Sequence, residues 1–360
     1  MAPTSARQIL LSPAELSYIH TSLSHAPPIR SDGRQPNQFR PLTAETGILP
    51  GTNGSARICF ADGTEAVVGV KAEVEKSCSA EGTNIEQCSK NSLSEPSLSE
   101  TDKKGLREWV DVSVEIPGIR DDESMPIFLA ALLSEALLAD GNFTKKLWIN
   151  NRFHWRLYLD ILLLSPPLSY PLPLLSLTMH LALLSTRLPK LKSEGDEDPL
   201  FEDDWEVSTF LYPRGNRTIV RPPITLLVIS VKDNIIFDPS KEELAVAEVV
   251  LAISVGEGNK HEGLQAGRRD LRLWATRTID PPSRLTYPGV SASLNPTIGG
   301  ISSTFEEAVS HKEDWVEEGV WTPPRGGAKR KLISAMIQQV LSPGGVADEV
   351  LDGLDAVELS

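Results

Sequence analysis

Cysteine is almost missing from this 360-residue chain: Cys59, Cys78 and Cys88 are its whole complement. The count is odd, and two of the three lie in a polar low-complexity stretch. That is neither a disulfide framework nor a metal-ligand spacing, and it fits a reducing compartment. Positive charge is also short. Lys and Arg number 35 against 49 Asp and Glu, for a net charge of −14 and an isoelectric point near 5.0. A protein that grips nucleic acid alone carries a basic face, because phosphate neutralisation supplies most of the affinity. Any RNA contact must therefore be local or shared with partners, and the acidic balance suits docking onto basic neighbours. Met1 to Gln8 holds no apolar signal core, so secretion is not expected.

The common catalytic motifs are absent too. Gly256-Glu257-Gly258 lacks the third glycine and the strand–turn–helix setting of a dinucleotide loop. His261-Glu262 is not followed by a second histidine one helical turn on, which excludes a zinc-protease motif. No serine sits in a Gly-x-Ser-x-Gly elbow. The six histidines are scattered, and His154 and His180 read as structural residues. Nor is there an unbroken hydrophobic run of spanning length. Leu157 to Leu188 is leucine-rich but is interrupted by Pro166, Pro167, Pro171 and Pro173 and carries Asp160. A bilayer helix needs about 20 mostly apolar residues and rejects a central acid. The segment reads as a buried strand, a proline-broken turn and a buried helix over Leu172–Leu188.

What is present describes a globular chain with a sizeable core: 40% hydrophobic, 23% charged, mean hydropathy −0.15, and enough length for about two domains. Ser12 to Ser24 reads as a helix with Ser12 as N-cap, Pro13 at N1 and Glu15 closing a capping box. Ser55–Phe60 and Glu65–Val74 form a hairpin over an Asp62-Gly63 turn. Residues 75–107 lose periodicity and read as a disordered insertion. Val110, Val112, Val114 and Ile116 alternate with polar residues, which marks a half-buried strand. Ser124–Asp140 reads as a helix with Ser124 as its N-cap and Gly141 beyond its end. Trp155–Leu164 reads as a strand, with Arg156, Tyr158 and Asp160 on one face.

An acidic linker is expected over 191–216. Beyond it, Ile224–Val231 and Ile235–Phe237 form a second hairpin, and Asp238-Pro239-Ser240 can cap a helix. Glu243–Val255 is ambiguous between helix and strand. Leu271–Ile279 reads as a strand, and Ser302–Glu317 and Lys329–Leu341 as helices. The order, strands then helices, twice over, implies an α+β architecture with helices packed on mixed or antiparallel sheets. The ranges are 1–29 for the lead-in helix, 30–190 for the first domain, 217–345 for the second and 346–360 for a C-terminal tail. Acidic pairs at Asp121-Asp122-Glu123, Asp203-Asp204 and Glu242-Glu243 stand near loops or helix starts, where the helix dipole favours acids. A two-metal nuclease would need them to converge, and spacing does not establish that. No metal or cofactor is expected.

Arg30-Ser31-Asp32-Gly33-Arg34 with Arg40-Pro41-Leu42, Glu45-Thr46-Gly47 with Asn53-Gly54-Ser55-Ala56-Arg57, Gly69-Val70-Lys71-Ala72-Glu73, Tyr158-Leu159-Asp160-Ile161-Leu162 and Asp238-Pro239-Ser240-Lys241-Glu242-Glu243 occur in that order. As an ordered set, they resemble the ribonuclease PH-like proteins. They resemble most the inactive ring-subunit branch found in the RNA exosome. The resemblance implies a ribonuclease PH-like fold of two related β-α halves. It also implies a ring of six related subunits, topped by S1- and KH-type cap subunits. Processive exoribonucleases attach to such rings, and RNA threads the pore. Exosome rings of this kind work in RNA processing and degradation, in the nucleus, the nucleolus and the cytoplasm.

Departures from the family pattern carry the functional expectation. Active members hold phosphate on a Gly-Gly-Thr-Arg turn after the central strand, where this chain reads Ser165-Pro166-Pro167-Leu168-Ser169-Tyr170-Pro171. No arginine and no run of glycine amides remain to wrap the attacking anion. The catalytic aspartate pair of active members has no match in the second half. The expectation is thus no catalytic residue and no enzyme activity. The alternative is an active phosphate-dependent 3′–5′ exoribonuclease in which another turn holds phosphate. A lone scaffold outside any ring is a further possibility. By the same resemblance, RNA-gripping arginines of the family fall here on Ala131 and Glu135, which cannot pair with phosphate. Arg120, Lys145, Lys146 and Arg152 remain as RNA-contact candidates, against a plainer reading as solvated surface charges. Arg57, Arg156 and Asp160 are expected to make structural pairs.

Overall fold

A computed structural model of the chain describes residues 11–77, 105–193, 195, 197–213, 220–258, 269–289 and 319–359. Helix α1 (Pro13–Ser24) begins as its sequence dictates. The Ser12 hydroxyl accepts from the Glu15 N–H, and the Glu15 carboxylate accepts from the Ser12 N–H at 2.7 Å. Five strands follow in one sheet: β1 (Leu42–Thr46), β2 (Gly54–Phe60), β3 (Glu65–Lys76), β4 (Val110–Glu115) and β5 (Phe153–Leu163). Their order is β1-β2-β3-β5-β4. All neighbours are antiparallel except β4, which runs parallel to β5 at the edge. Between them lie α2 (Ser124–Leu138), the one-turn α3 (Asn142–Lys145) and, after β5, α4 (Leu172–Ser185).

The second half builds a four-stranded sheet from β8 (Ile224–Val231), β9 (Asn234–Phe237), β10 (Val249–Glu257) and β11 (Leu271–Ile279), in the order β11-β10-β8-β9. A two-residue pair, β6 (Arg187–Leu188) with β7 (Thr209–Phe210), joins the halves. The short α5 (Lys241–Leu244) follows β9, and α6 (Arg330–Val340) and α7 (Val346–Asp355) end the chain.

One face of the first sheet and the inner face of the second enclose α4, which packs on β2, β3 and β8. Every residue of α4 is buried. A helix apolar all round needs cover on all sides, and two sheets supply it. This is why the leucine-rich segment never needs a bilayer, and no helix among the described residues is long and apolar enough to cross one. The outer face of β8 and β10 is covered in turn by α1 and α6. Hence β8 is buried along its whole length, and β10 at all but its last residue, rather than alternating. The α+β expectation holds, and the ambiguous stretch 243–255 resolves mostly as strand.

Several boundaries move. The strand read as ending at Val74 runs to Lys76, and residues 107–109 form a 3₁₀ turn. Residues 78–104 of the expected insertion lie outside the described residues, as do His261-Glu262 and the helix expected over Ser302–Glu317. The cap of α2 is Glu123 rather than Ser124. Helix α4 stops at Ser185, not Leu188. Thr186 turns extended and passes so close to Gly54 that a Cβ there would meet Thr186 backbone at 2.6 Å. The 191–216 stretch is not bare linker. Leu191 bridges Phe201, whose ring lies 5.0 Å from Trp155. The 346–360 tail is part of the second half: α7 buries Val346, Ala347, Val350, Leu351 and Leu354.

Candidate functional site

The signature residues of the two halves meet in a buried ionic seam. The Arg30 side chain is fully buried and forks onto Glu243, with Nε to Oε1 and Nη2 to Oε2 both 2.8 Å. It also donates to the carbonyls of Phe237 at 3.1 Å and Asp238 at 3.0 Å. Glu243 is itself the capping-box acid of α5, accepting from the Ser240 N–H at 2.8 Å. Asp238 holds a left-handed φ of 48°, which Asp tolerates better than most residues. Its buried carboxylate accepts from Arg34 at 2.8 Å and from both Nε and Nη2 of Arg40, at 2.8 and 2.7 Å. Arg40 also bonds Asp62 and lies 4.7 Å over the Phe60 ring. Burial alone would lower the Arg40 guanidinium, but the Asp238 and Asp62 carboxylates outweigh it and hold it above its ordinary value.

The proline-studded turn after β5 sits against this seam. Arg40 Nη2 donates to the Ser169 hydroxyl at 2.9 Å, and the Ser165 hydroxyl accepts from the Glu65 N–H at 3.0 Å. Pro166 and Pro167 offer no N–H. The cleft beside the turn, walled by Phe60, Leu163, Pro167 and Leu174, is too narrow to hold a water molecule. Burial pushes the Tyr170 hydroxyl up to about 12. An anion would find few amides here, and the cation at the turn is already shared between two carboxylates. Glu243 is buried and committed to Arg30 and to its own helix cap, accepting three hydrogen bonds. Among the described residues no group of three or more His, Cys, Asp or Glu could hold a metal ion.

The four RNA-contact candidates do not form one surface. Because β4 and β5 are parallel, Arg120 lies beyond the C-terminal end of β5, while Lys145, Lys146 and Arg152 gather at its N-terminal end. Eleven strand residues separate them, ~35 Å at about 3.3 Å per residue. Arg120 is exposed and bonds Asp122 at 2.8 Å. Lys145 reaches Asn142 at 3.5 Å, and Arg152 lies 3.3 Å from Asp198. Lys146 is withdrawn from the surface. Its Nζ stands 3.6 Å over the Tyr212 ring and 3.4 Å from the Val220 carbonyl, beside a cavity of about 240 Å³ that Asp140 and Trp274 also line. Burial holds it down to about 8 against the opposing pull of Asp140. Glu135 accepts from Arg277 Nε and Nη2 at 2.9 and 2.7 Å, so that position is acidic and already paired.

His154 and His180 are structural. His154 stacks on Trp109 at 4.3 Å and bonds the Ser77 hydroxyl. His180 is wholly buried in α4 with Nδ1 2.9 Å from the Pro222 carbonyl, and burial lowers it to about 4. Arg57, Arg156 and Asp160 pair as expected, with Glu65, Glu75 and Ser113. The role of Arg40 was hidden from sequence reasoning. Its Arg-Pro-Leu context marks the family, but its partners lie 22 and 198 residues away.

The chain is similar to known proteins. A family model described as "3' exoribonuclease family, domain 1", the ribonuclease PH domain, matches residues 38–189. The Saccharomyces cerevisiae exosome complex component RRP42 is 33% identical over 254 residues, covering 69% of this chain and 82% of that protein. The Schizosaccharomyces pombe exosome complex component rrp42 is 34% identical over 266 residues, covering 68% and 78%. The chain belongs to the ribonuclease PH family, in its RRP42 branch. An Archaeoglobus fulgidus exosome, solved with RNA bound to the active site, matches with a TM-score of 0.50 at 19% identity, covering 74% of this chain and 87% of that one. At that identity the match speaks for the fold alone. The sequence resemblance to ribonuclease PH-like proteins and the fold it implied are thus borne out. The seam of Arg30, Arg34, Arg40, Asp238 and Glu243 is how this ribonuclease PH-family chain joins its halves.

Proposed function

We propose that this chain is a non-catalytic ring subunit of the RNA exosome, assembling with other ribonuclease PH-like subunits into the channel that RNA threads. The relatives named exosome complex component RRP42 support ring membership. One observation carries the lack of catalysis. Arg40, the cation at the turn, is held between Asp238 and Asp62, and the cleft beside it has no room for even a water molecule. Phosphorolysis needs inorganic phosphate positioned to attack the terminal phosphodiester and release a nucleoside diphosphate. Without a cradle for that anion, neither positioning nor charge stabilisation is available.

The subunit's work in this reading is geometric: it holds neighbours and keeps the pore open. Cap subunits of the S1 and KH types and attached processive exoribonucleases supply RNA entry and cleavage. The site of action is the nucleus with its nucleolus, and the cytoplasm. Arg120, Lys145, Lys146 and Arg152 contribute at most weak electrostatics to the pore.

Two measurements test this. Native mass spectrometry of the tagged chain from its own cells should show other ribonuclease PH-like subunits in one particle; recovery of the chain alone would defeat the ring. Incubation of the purified chain with phosphate and end-labelled RNA should release no nucleoside diphosphate. Its release, abolished by changes at Ser165–Tyr170, would make the chain an enzyme.

A further inference from the structure

One surface departs from the acidic character of the chain. Arg325, Lys329, Arg330 and Lys331 are all exposed and bond to no carboxylate among the described residues. Gly326 and Gly327, both at left-handed φ of 82° and 85°, lead the chain between them. A Cβ at Gly326 would stand 2.9 Å from Arg284 Nε, so the chain at Gly326 lies directly against Arg284, which is itself paired with Asp280 at 2.6 Å. The 284–289 and 321–326 segments are held side by side. The Gly289 N–H donates to the Trp321 carbonyl and Trp321 Nε1 to the Thr286 hydroxyl, both at 2.8 Å. Tyr287 stands out from this pair at 84% exposure, more than any other large apolar side chain described.

The run is also badly placed for its own helix. Lys329, Arg330 and Lys331 occupy the N-cap and first positions of α6, whose first turn has no acid. The helix dipole favours acids at that end, and no buried contact of these exposed side chains offsets the conflict. Local rules broken without structural gain point to function.

We propose that this surface binds single-stranded RNA, with Arg325, Lys329, Arg330 and Lys331 holding backbone phosphates and Tyr287 stacking on a base. Cations that track a phosphate backbone beside an exposed aromatic face are the two parts that sequence-independent single-strand binding requires. An acidic peptide would use the charges but not the ring. The choice of RNA over another polyanion rests on the ring-subunit reading. The surface includes none of Arg120, Lys145, Lys146 and Arg152, and it lets an acidic chain hold RNA locally.

The test uses the full chain in the complex it purifies with, and a fluorescein-labelled oligouridine read by anisotropy across a salt series. Reversing Lys329→Glu, Arg330→Glu and Lys331→Glu together should flatten the slope of log affinity against log salt by about 2, at roughly 0.7 per lost phosphate contact on a single strand. Tyr287→Ala should weaken binding about tenfold with the slope unchanged. A photo-crosslink from 4-thiouridine to the Tyr287 peptide should appear in the parent and vanish in the triple variant. Equal slopes and affinities in parent and triple variant would overturn the proposal. So would a triple variant that keeps RNA but sheds its partner subunits, since the surface would then be a protein interface. Ring membership is read separately from the particle mass. A chain that joins no ring yet loses RNA with the triple change leaves this surface standing and removes the ring reading.

Discussion

Two sets of basic side chains in this protein are put to opposite uses. Arg30, Arg34 and Arg40 are almost wholly withdrawn from water, and each is matched to Asp238 or Glu243 by charge-assisted bonds. Arg325, Lys329, Arg330 and Lys331 stand in water without a described carboxylate. The first set is bound to the protein itself. The second gives the fold nothing and keeps its donors free. Counting cations would not separate the two; burial and partners do. The guanidinium at the turn, Arg40, is tied into the scaffold through Asp238 and Asp62.

The contrast breaks if the buried set can be lost cheaply. Arg30→Met leaves Glu243 charged and unpaired in the interior, and should lower the unfolding free energy by about 3–5 kcal/mol in guanidinium titrations. The double change Arg30→Met with Glu243→Leu removes both charges and should recover much of that loss. A double variant as unstable as the single would mean that the backbone carbonyl bonds of Arg30, not the ion pair, hold the halves together.

His180 sharpens the comparison as a buried titratable group outside both sets. Burial lowers it to about 4 in the folded chain, whereas an unfolded histidine titrates near ~6.5. Between those values the unfolded state takes up a proton that the folded state refuses, so stability falls as pH falls through that window. The expected slope is about 1.4 kcal/mol per pH unit. His180→Gln should flatten that limb of a pH series of denaturation midpoints. An unchanged limb would show that His180 does not set the acid sensitivity.

The smallest effect is expected on the exposed set. Lys331→Glu places an acid in the first turn of α6 and should leave the melting temperature level or raise stability by about 0.3–1 kcal/mol. A loss above ~1 kcal/mol would show that the run has a packing role after all.

Much of the fold was legible because its signals are local. The Ser12–Glu15 capping box, the helix cap at Ser240, the Asp62-Gly63 turn and the alternation of Val110, Val112 and Val114 each depend on a few neighbouring residues, and each falls where the pattern puts it. What escaped was set at long range. Helix α4 ends early because Gly54, more than a hundred residues away, lets Thr186 pass at contact distance. The C-terminal segment is a packed helix because Arg269 meets Asp352 and Asp355 across the fold. The family signatures were readable as names, but not as partners. Nothing in Arg30-Ser31-Asp32-Gly33-Arg34 says that its charges are answered from the second half. In sequence the basic run at 325–331 shows only as the start of the helix expected over Lys329–Leu341, since exposure and missing partners are properties of the folded surface.

The seam also sets a clock for biosynthesis. Arg30 leaves the ribosome 213 residues ahead of the glutamate that neutralises it. At about 5–20 residues per second the arm waits roughly 10 to 40 seconds for its counterion. Until then the newborn first half carries Arg30 without Glu243, and Arg34 and Arg40 without Asp238, beside an open apolar layer, the condition in which chaperones find their clients.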